Sequence, residues 1–456
     1  MIVPDGVFRY VMAMLVVAAV VVPAAAPRAH AQDAGRDTVI SRPLSLGDAA
    51  RLAAHQSASA EEARFQAAQA SAQVTQARSE LLPNVSAYAM EHGVTINTAT
   101  FGFALPGLDP GGELLGPVNT IDVRGKLSQT IFDYAALSRV RSARSTAVAG
   151  NATASDVAEQ AAVTASLAYL RAQRADADLA AREADSVLAD SLLGIANDQL
   201  TAGVGVALDV TRAQAQVAAV RAQLIAARNE RDRSRLDLLR ALGLSLDAHV
   251  ELADTLTRLT MSDTMPNEQA AIAQALRDRP DLRAADQRLE AARQTSGAIR
   301  AERLPSLTAF ADEGWLGTNS GNKLNTYQWG VQVSVPVFDG LRREGRIEEQ
   351  EARVSEIDVR RRDLRQEAAI EVRGAMLDLG SAREAVDAAR EQLRLTEQEV
   401  AQARDRFRAG VSGNADVITA SLTLNTSRTQ LVDALASYQS ARVALARAVG
   451  SVTSLP

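Results

Sequence analysis

Two very long stretches without proline constrain the fold of this chain more than any other feature. One runs from Asp339 to about Ala409 and the other from Asp133 to Ala202, and both have helix-forming composition. At about 1.5 Å per residue, each helix would be about 100 Å long. Helices of this length indicate a coiled coil, a membrane span or a repeat array, and the charged fraction of 23% excludes the membrane span.

The second half of the later stretch carries the 3.5-residue repeat of a coiled coil. Apolar or small residues recur there in alternating steps of three and four. This seam comprises Leu379, Ala382, Val386, Ala389, Leu393, Thr396, Val400, Ala403 and Phe407. We therefore expect other helices to cover this face.

The sequence is also internally duplicated, at a nearly constant offset of about 207 residues. Each long stretch follows a segment that ends in Phe-Asp, at Asp133 and Asp339. Each is followed by Ala-Gly-Val, around Gly203 and Gly410, and then by Asp-Val. Each half therefore predicts the same order of elements: helix, strand, strand, very long helix, tight turn and helix.

Residues 1–31 have the pattern of a secretory signal peptide. An apolar stretch from Tyr10 to Val22 leads to Ala29-His30-Ala31, a small-x-small cleavage site that would leave Gln32 as the first mature residue. A membrane anchor is the alternative, but about 13 apolar residues are too few to span about 30 Å of hydrocarbon. We therefore expect an exported chain.

Composition argues against several classes of function. Cysteine is absent, so disulfides, Cys-based metal sites and lipidation of an N-terminal Cys are ruled out. The 4 histidines are scattered, and we expect no metal and no cofactor. A net charge of −6 argues against a nucleic-acid partner. The sequence contains no phosphate-binding loop and no nucleophile elbow, which predicts a protein that is not an enzyme.

Alternation of apolar and polar residues precedes each long helix. The apolar positions are Ile121, Val123, Leu127 and Ile131 in the first half, and Tyr327, Trp329, Val331, Val333, Val335 and Val337 in the second. Period 2 over about ten residues is typical of a transmembrane barrel strand, although a half-buried strand in a soluble sheet has the same pattern. Less regular partner strands are expected from about Val85 and Leu307, with turn-rich loops at 93–118 and 317–326.

These signals divide the chain into consecutive segments. They are a signal peptide (1–31), the N-terminal helix of the first repeat (32–83), a first β-hairpin (84–132), a long helical hairpin (133–243), a linker (244–266), the helix of the second repeat (267–304), a second β-hairpin (305–338), a second long helical hairpin (339–450) and a C-terminal tail (451–456).

Four strands per chain cannot close a barrel, since bacterial barrels begin at about eight strands. An open sheet edge is not tolerated in lipid. If the strands span a membrane, several chains must share one barrel: two chains would supply about eight strands and three about twelve.

With this order of elements, the chain resembles the TolC-type outer membrane factor family. The resemblance covers essentially all of the mature chain. It rests on the opening LSLGDAARLAA from Leu44 to Ala54, the joints Leu82-Pro83 and Leu304-Pro305, the segment from Pro336 to Gly340, and the two Ala-Gly-Val turns with Asp-Val after them. None of these segments is specific for the family by itself, but all of them in this order and in duplicate are specific for it.

The resemblance implies a mainly α fold with a membrane β-barrel portion. Long α-helical hairpins would form a periplasmic tunnel, and four β-strands per chain would contribute to a shared trimeric 12-stranded barrel in outer membrane lipid. The homotrimer would be the exit duct of a tripartite efflux pump or a type I secretion system. Its partners would be a periplasmic adaptor protein and an inner-membrane transporter of the RND, ABC or MFS type.

Several residues are candidates for function in such a duct. Gly203 and Gly410 are expected to end helices in a left-handed conformation. The turns that they form with Val204 and Val411 would be the docking surface for an adaptor. Trp315, Tyr327 and Trp329 are expected to be aromatic residues at the membrane interface.

Two acidic residues follow the turns, and two interpretations of them stay open. Asp209 and Asp416 precede apolar helical runs, so each is a natural N-cap. Alternatively, they lie in the periplasmic tunnel mouth and act as a gate. The resemblance implies at most one acidic ring there, because Thr419 takes the position one turn after Asp416.

Two other classes of protein compete with the duct. An exported, non-channel coiled-coil scaffold would explain the helices but not the alternating strand pairs. A periplasmic adaptor also has a helical hairpin, but this chain has two hairpins and lacks the Gly-rich β-domains of adaptors.

Overall fold

The computed structural model describes residues 43–101, 112–256, 266–317 and 323–455. The predicted signal peptide and the predicted mature start at Gln32 lie outside these ranges, as do parts of both predicted loops and of the linker. The described residues form eight α-helices and four strands, which repeat in the order that the duplication predicts.

The first repeat contains α1 (Leu46–Gln56), α2 (Ala58–Ser79), β1 (Asn84–Asn97), β2 (Leu114–Phe132), α3 (Tyr134–Thr201) and α4 (Ala207–Leu242). The second contains α5 (Glu268–Asp278), α6 (Pro280–Ala301), β3 (Ser306–Gly317), β4 (Lys323–Ser334), α7 (Arg342–Arg408) and α8 (Asn414–Val449). Short 3-10 helices lie at Thr98–Phe101 and Val452–Ser454. Equivalent helices match in length: 11 and 11, 22 and 22, 68 and 67, and 36 and 36 residues.

The sequence predicts one continuous helix before each strand pair, and this prediction is wrong in both repeats. The first helix breaks at Ser57, where ψ is 145°, and the second at Arg279, where ψ is 126°. The Ser57 hydroxyl accepts a hydrogen bond from the Ala60 amide at 3.3 Å, so it caps α2. Pro280 disfavours helical backbone at Arg279, which explains the second break.

The long helices begin differently in the two repeats. Asp133 caps α3, because its carboxylate accepts a hydrogen bond from the Ala136 amide at 3.0 Å. Asp339 does not cap α7 in this way. Gly340 and Leu341 both adopt left-handed backbone, with φ of 72° and 66°, and the helix begins only after them. The Asp339 carboxylate instead accepts from Nε of Arg343 at 3.0 Å, and this bond lowers the pKa of Asp339.

The described residues divide into two compact units. The strand unit comprises Ser71–Ser145 and Glu290–Val354, and it contains all four strands. The remaining described residues form the helical unit. No helix in the described ranges combines the length and the apolarity needed to cross a membrane.

In the strand unit, the strands form one antiparallel sheet in the order β1-β2-β3-β4. The prediction of a loop over residues 93–118 is wrong at both ends, because β1 continues to Asn97 and β2 begins at Leu114. Glycine and proline suggested a loop there, but Pro117 is accommodated where the β1-β2 register shifts between Val94 and Ile96.

The register gives the sheet one apolar face and one polar face. The apolar face includes Val85, Ala87, Ala89, Val123, Leu127, Leu307, Ala309, Ala311, Trp315, Tyr327, Trp329, Val331 and Val333. The polar face includes Ser86, Asp122, Arg124, Lys126, Ser128, Thr308, Asp312, Gln328 and Gln332, together with Tyr88 and Phe310. The apolar side chains of β4 are exposed in the single chain.

In the helical unit, the hydrophobic cores are rich in alanine and lie where the helices contact one another. The predicted coiled-coil seam of α7 is confirmed, since all nine of its residues are buried or half-buried. Tyr169 of α3 is fully buried, and its hydroxyl donates to the Leu44 carbonyl at 2.8 Å. Burial raises the pKa of Tyr169 well above its ordinary value.

Candidate functional site

The two turns that end α3 and α7 have the same backbone geometry. Gly203 and Gly410 both lie in the left-handed region, with φ of 75° and 69°, as the sequence predicts. The Gly203 amide donates to the Leu200 carbonyl and the next amide donates to the Gln199 carbonyl. This pair of bonds defines a Schellman motif, and the Gly410 turn repeats it.

Each turn presents an apolar side chain to solvent. Val204 is 80% exposed and Val411 is 70% exposed. Val206 and Leu208 extend the exposed apolar surface beside the first turn. An exposed apolar patch on a helical tip is typical of a surface that binds another protein.

The structure brings the two turns together at one end of the helical unit. The Gln199 side chain donates to the Phe407 carbonyl at 2.8 Å, and Nδ2 of Asn414 donates to the Asp209 carbonyl at 3.0 Å. A small core lies directly beside these bonds. It comprises Leu192, Ala196, Ala213, Phe407 and Val417.

The N-cap interpretation of Asp209 and Asp416 is wrong. The residues at the cap positions of α4 and α8 are Val206 and Gly413, and neither makes a side-chain cap bond. Both aspartates lie instead in the first turn of their helix, where the helix dipole favours negative charge. They differ in exposure: Asp416 is exposed, whereas the Asp209 carboxylate is mostly covered and lies 3.8 Å from Arg212.

Asn414 is a tip residue that the sequence did not single out. It is fully buried at the start of α8, and its Oδ1 has no hydrogen-bond partner within the described residues. A buried polar side chain that joins two hairpins restricts their separation, because breaking its bond leaves two buried groups unpaired. The signal in the sequence was an Asn two residues before Asp416, where the first repeat has Ala207.

A buried ionic cluster joins α3 to α8 further from the turns. The Asp185 side chain is 1% exposed and accepts from Arg428 at 2.7 Å and from Arg182 at 3.4 Å. Asn425 also faces Asp185, and its amide nitrogen reaches Oδ1 at 2.6 Å in the orientation that satisfies both groups. Burial raises the pKa of Asp185, and the bond from Arg428 opposes the rise.

In the strand unit, Trp315, Tyr327 and Trp329 lie on the apolar face of β3 and β4, and all three are exposed. Trp315 pairs with Asn325, and Tyr327 pairs with Glu313, so two of the three lie near the ends of the strands that the second loop connects. Their place at a membrane interface stays a prediction.

Within the described residues, no group of three or more His, Asp or Glu side chains could hold a metal ion. The described residues instead combine a helical tip with exposed apolar side chains, helical hairpins joined by polar contacts, and a sheet with one apolar and one polar face.

Comparison with known proteins identifies the class. The family model for outer membrane efflux protein matches residues 50–244 and 271–451, and these two segments correspond to the two repeats. Because the match covers most of the chain, the protein belongs to the outer membrane efflux protein family. Family membership confirms the predicted resemblance, the fold class and the location in the outer membrane with an extension into the periplasm.

Individual relatives are more distant. The chain is 28% identical over 219 residues to the alkaline protease secretion protein AprF of Pseudomonas aeruginosa, covering 47% of this chain and 45% of AprF. It is also 28% identical over 298 residues to the toluene efflux pump outer membrane protein TtgF of Pseudomonas putida, covering 62% and 59%. The chain thus spans about half the length of the curated relatives that it matches.

The fold is closely similar to that of a solved channel. The crystal structure of the Campylobacter jejuni CmeC outer membrane channel matches with a TM-score of 0.75 at 18% identity, covering 89% of this chain and 85% of that chain. At this identity, the likeness supports the fold alone.

Proposed function

We propose that three copies of this chain form an exit duct through the outer membrane, which serves a tripartite efflux pump or a type I secretion system. The observation that carries the proposal is the four-stranded sheet. Within the described residues, β1 and β4 each pair with one neighbouring strand, so each leaves an edge open. Closing these edges with copies of the same chain gives about twelve strands from three chains, within the range of bacterial barrels.

The two faces of the sheet support the orientation of such a barrel. The exposed apolar side chains of β4 would face lipid, with Trp315, Tyr327 and Trp329 at the membrane interface. The polar face, which carries Asp122, Arg124 and other charged groups, would line the interior. A scaffold or an adaptor would leave this division unexplained.

The helical tip supports the rest of the proposal. The turns at Gly203-Val204 and Gly410-Val411 would be the docking surface for a periplasmic adaptor, which connects the duct to an inner-membrane transporter. Three copies of Asp416 would form one acidic ring at the tunnel mouth, with the more covered Asp209 making a smaller contribution. The proposal includes no catalytic step and no cofactor.

Native mass spectrometry of the purified protein in detergent tests the assembly. We expect a trimer that stays in the outer membrane fraction after a carbonate wash. A folded monomer would refute the duct, and a dimer would require a barrel of about eight strands. Deletion of the gene, followed by tests of drug susceptibility and of the secreted proteins, would distinguish drug efflux from protein secretion.

A further inference from the structure

The polar face of the sheet carries an arginine that two carboxylates hold in place. Nε of Arg124 donates to both oxygens of Asp122, at 2.8 and 3.0 Å, and its Nη1 donates to Asp312 at 3.0 Å. Asp122 lies on the same strand, whereas Asp312 lies on β3. All three side chains are largely covered although the sheet face is open, because the guanidinium lies between its two partners.

Gly314 makes this arrangement possible. It is directly opposite Arg124 in the register of β2 and β3. A Cβ atom at Gly314 would lie 2.5 Å from Cγ of Arg124 and 2.2 Å from the Val123 carbonyl oxygen. The missing side chain therefore leaves room for the arginine stem to cross β3 and reach Asp312.

On this part of the polar face, positive and negative charges are equal in number. Asp312 is directly opposite Lys126, which is exposed, and diagonal to Arg124. Asp122 and Asp312 contribute two negative charges, and Arg124 and Lys126 contribute two positive charges. Asp312 is adjacent to both cations, so removal of its carboxylate takes a counter-charge away from both Arg124 and Lys126.

We propose that Asp122, Arg124, Lys126 and Asp312 form a neutral charge belt, which keeps the outer part of the duct from selecting strongly between cations and anions, with Asp312 as the residue that holds both cations in balance. The inference rests on the proposed function, because it requires the polar face to line a conducting pore. Charged rings control selectivity in pores through their net charge. In a trimer, all three chains carry a given substitution, so the net charge of the belt changes by three charges.

Reversal potentials of the wild-type trimer and its variants in planar bilayers, under a potassium chloride gradient, test the belt. Asp312→Asn leaves excess positive charge, so we expect the cation-to-anion permeability ratio to fall by about twofold or more. Lys126→Gln removes the positive charge of an exposed side chain, and we expect the permeability ratio to rise by a similar factor. The double variant should return close to the wild-type ratio.

Glu313→Gln is the matched control, because Glu313 is the next residue along β3 but lies on the apolar face. It loses the same charge, and we expect no change in selectivity. Unchanged reversal potentials in both Asp312→Asn and Lys126→Gln trimers that conduct would overturn the belt and leave the duct intact. If wild-type trimers do not conduct at all, the proposed function itself fails, and this inference fails with it.

Discussion

Two ion pairs join the same helices, α3 and α8, but differ in burial, and this contrast allows a controlled prediction. Arg428 binds Asp185, whose side chain is 1% exposed, at 2.7 Å. Arg174 binds Asp433 at the same distance, with side chains 54% and 46% exposed. Arg428→Gln and Arg174→Gln each remove one positive charge and replace the guanidinium with a neutral amide. Burial is therefore the main difference between the two variants.

The two variants should differ strongly in stability. Removing one partner of a buried pair costs about 3–5 kcal/mol when nothing else compensates. Arg182 and Asn425 still face Asp185 in Arg428→Gln, so we expect a loss of about 2–3 kcal/mol in the free energy of unfolding. An exposed pair contributes about 0–1 kcal/mol, so Arg174→Gln should be close to wild type.

Thermal unfolding in detergent, followed by circular dichroism, measures the difference. An unfolding entropy of about 2 cal/mol/K per residue converts the expected loss into a decrease of roughly 2–3 °C in Tm for Arg428→Gln. In the double variant Asp185→Asn/Arg428→Gln, the costs should be less than additive by about 1 kcal/mol or more, because no buried charge is left unpaired.

The loss in Arg428→Gln should also depend on pH. Burial raises the pKa of Asp185 above its ordinary value of 3.8, and removing Arg428 removes the main group that opposes the rise. A carboxyl with a raised pKa binds protons more tightly in the folded state, so its stabilising effect is present at low pH and is lost as the pH rises through the folded pKa. The difference in Tm between Arg428→Gln and wild type should therefore become smaller as the pH is lowered from neutral towards the ordinary pKa of an aspartate. Equal Tm values for the two single variants, or a gap that widens on acidification, would refute the reasoning.

Two further predictions concern the tip. Gly410→Val meets no atom within 4 Å, so its cost is the strain of positive φ, about 1 kcal/mol, and we expect a normal trimer that loses export. Gly374→Val, in the interior of α7 and also with open space around it, should retain export. Asp416→Ala should raise single-channel conductance in planar bilayers, and Asp209→Ala should raise it less, because the Asp209 carboxylate is mostly covered. Wild-type export in Gly410→Val, together with unchanged conductance in Asp416→Ala, would show that the tip is neither the docking surface nor the gate.

Features that depend on local periodicity could be predicted from the sequence. The seam from Leu379 to Phe407 is buried or half-buried throughout, because a 3.5-residue repeat fixes which side of a helix is covered. The two left-handed glycines could also be predicted, since a helix that ends before Gly favours this conformation. The strand ends could not, because Gly and Pro around residue 117 suggest a loop unless the pairing with β1 is known.

The polar networks could not be predicted for a different reason. Asp185 and Arg428 are 243 residues apart, and each lies in a helix whose charged residues resemble a solvated surface. The Asp312 partner of Arg124 is 188 residues away on another strand. Such contacts depend on which elements pack together, and duplication predicts the order of the elements but not which of their side chains meet.

The tip shows where the two repeats are alike and where they have diverged. Both long helices end in the same Schellman turn, so the backbone geometry survived duplication. The following residues differ: the second repeat has the buried Asn414, and the equivalent residue of the first repeat is Ala207, which has no side-chain amide. The bond from Asn414 to the Asp209 carbonyl therefore has no counterpart from Ala207 to the second repeat. Separation of the hairpins would break this bond and the one from Gln199, and would expose the core around Phe407. Each broken hydrogen bond of this kind costs about 1–3 kcal/mol when its groups stay buried, so these two bonds and the core around Phe407 favour the paired arrangement of the hairpins at the tip.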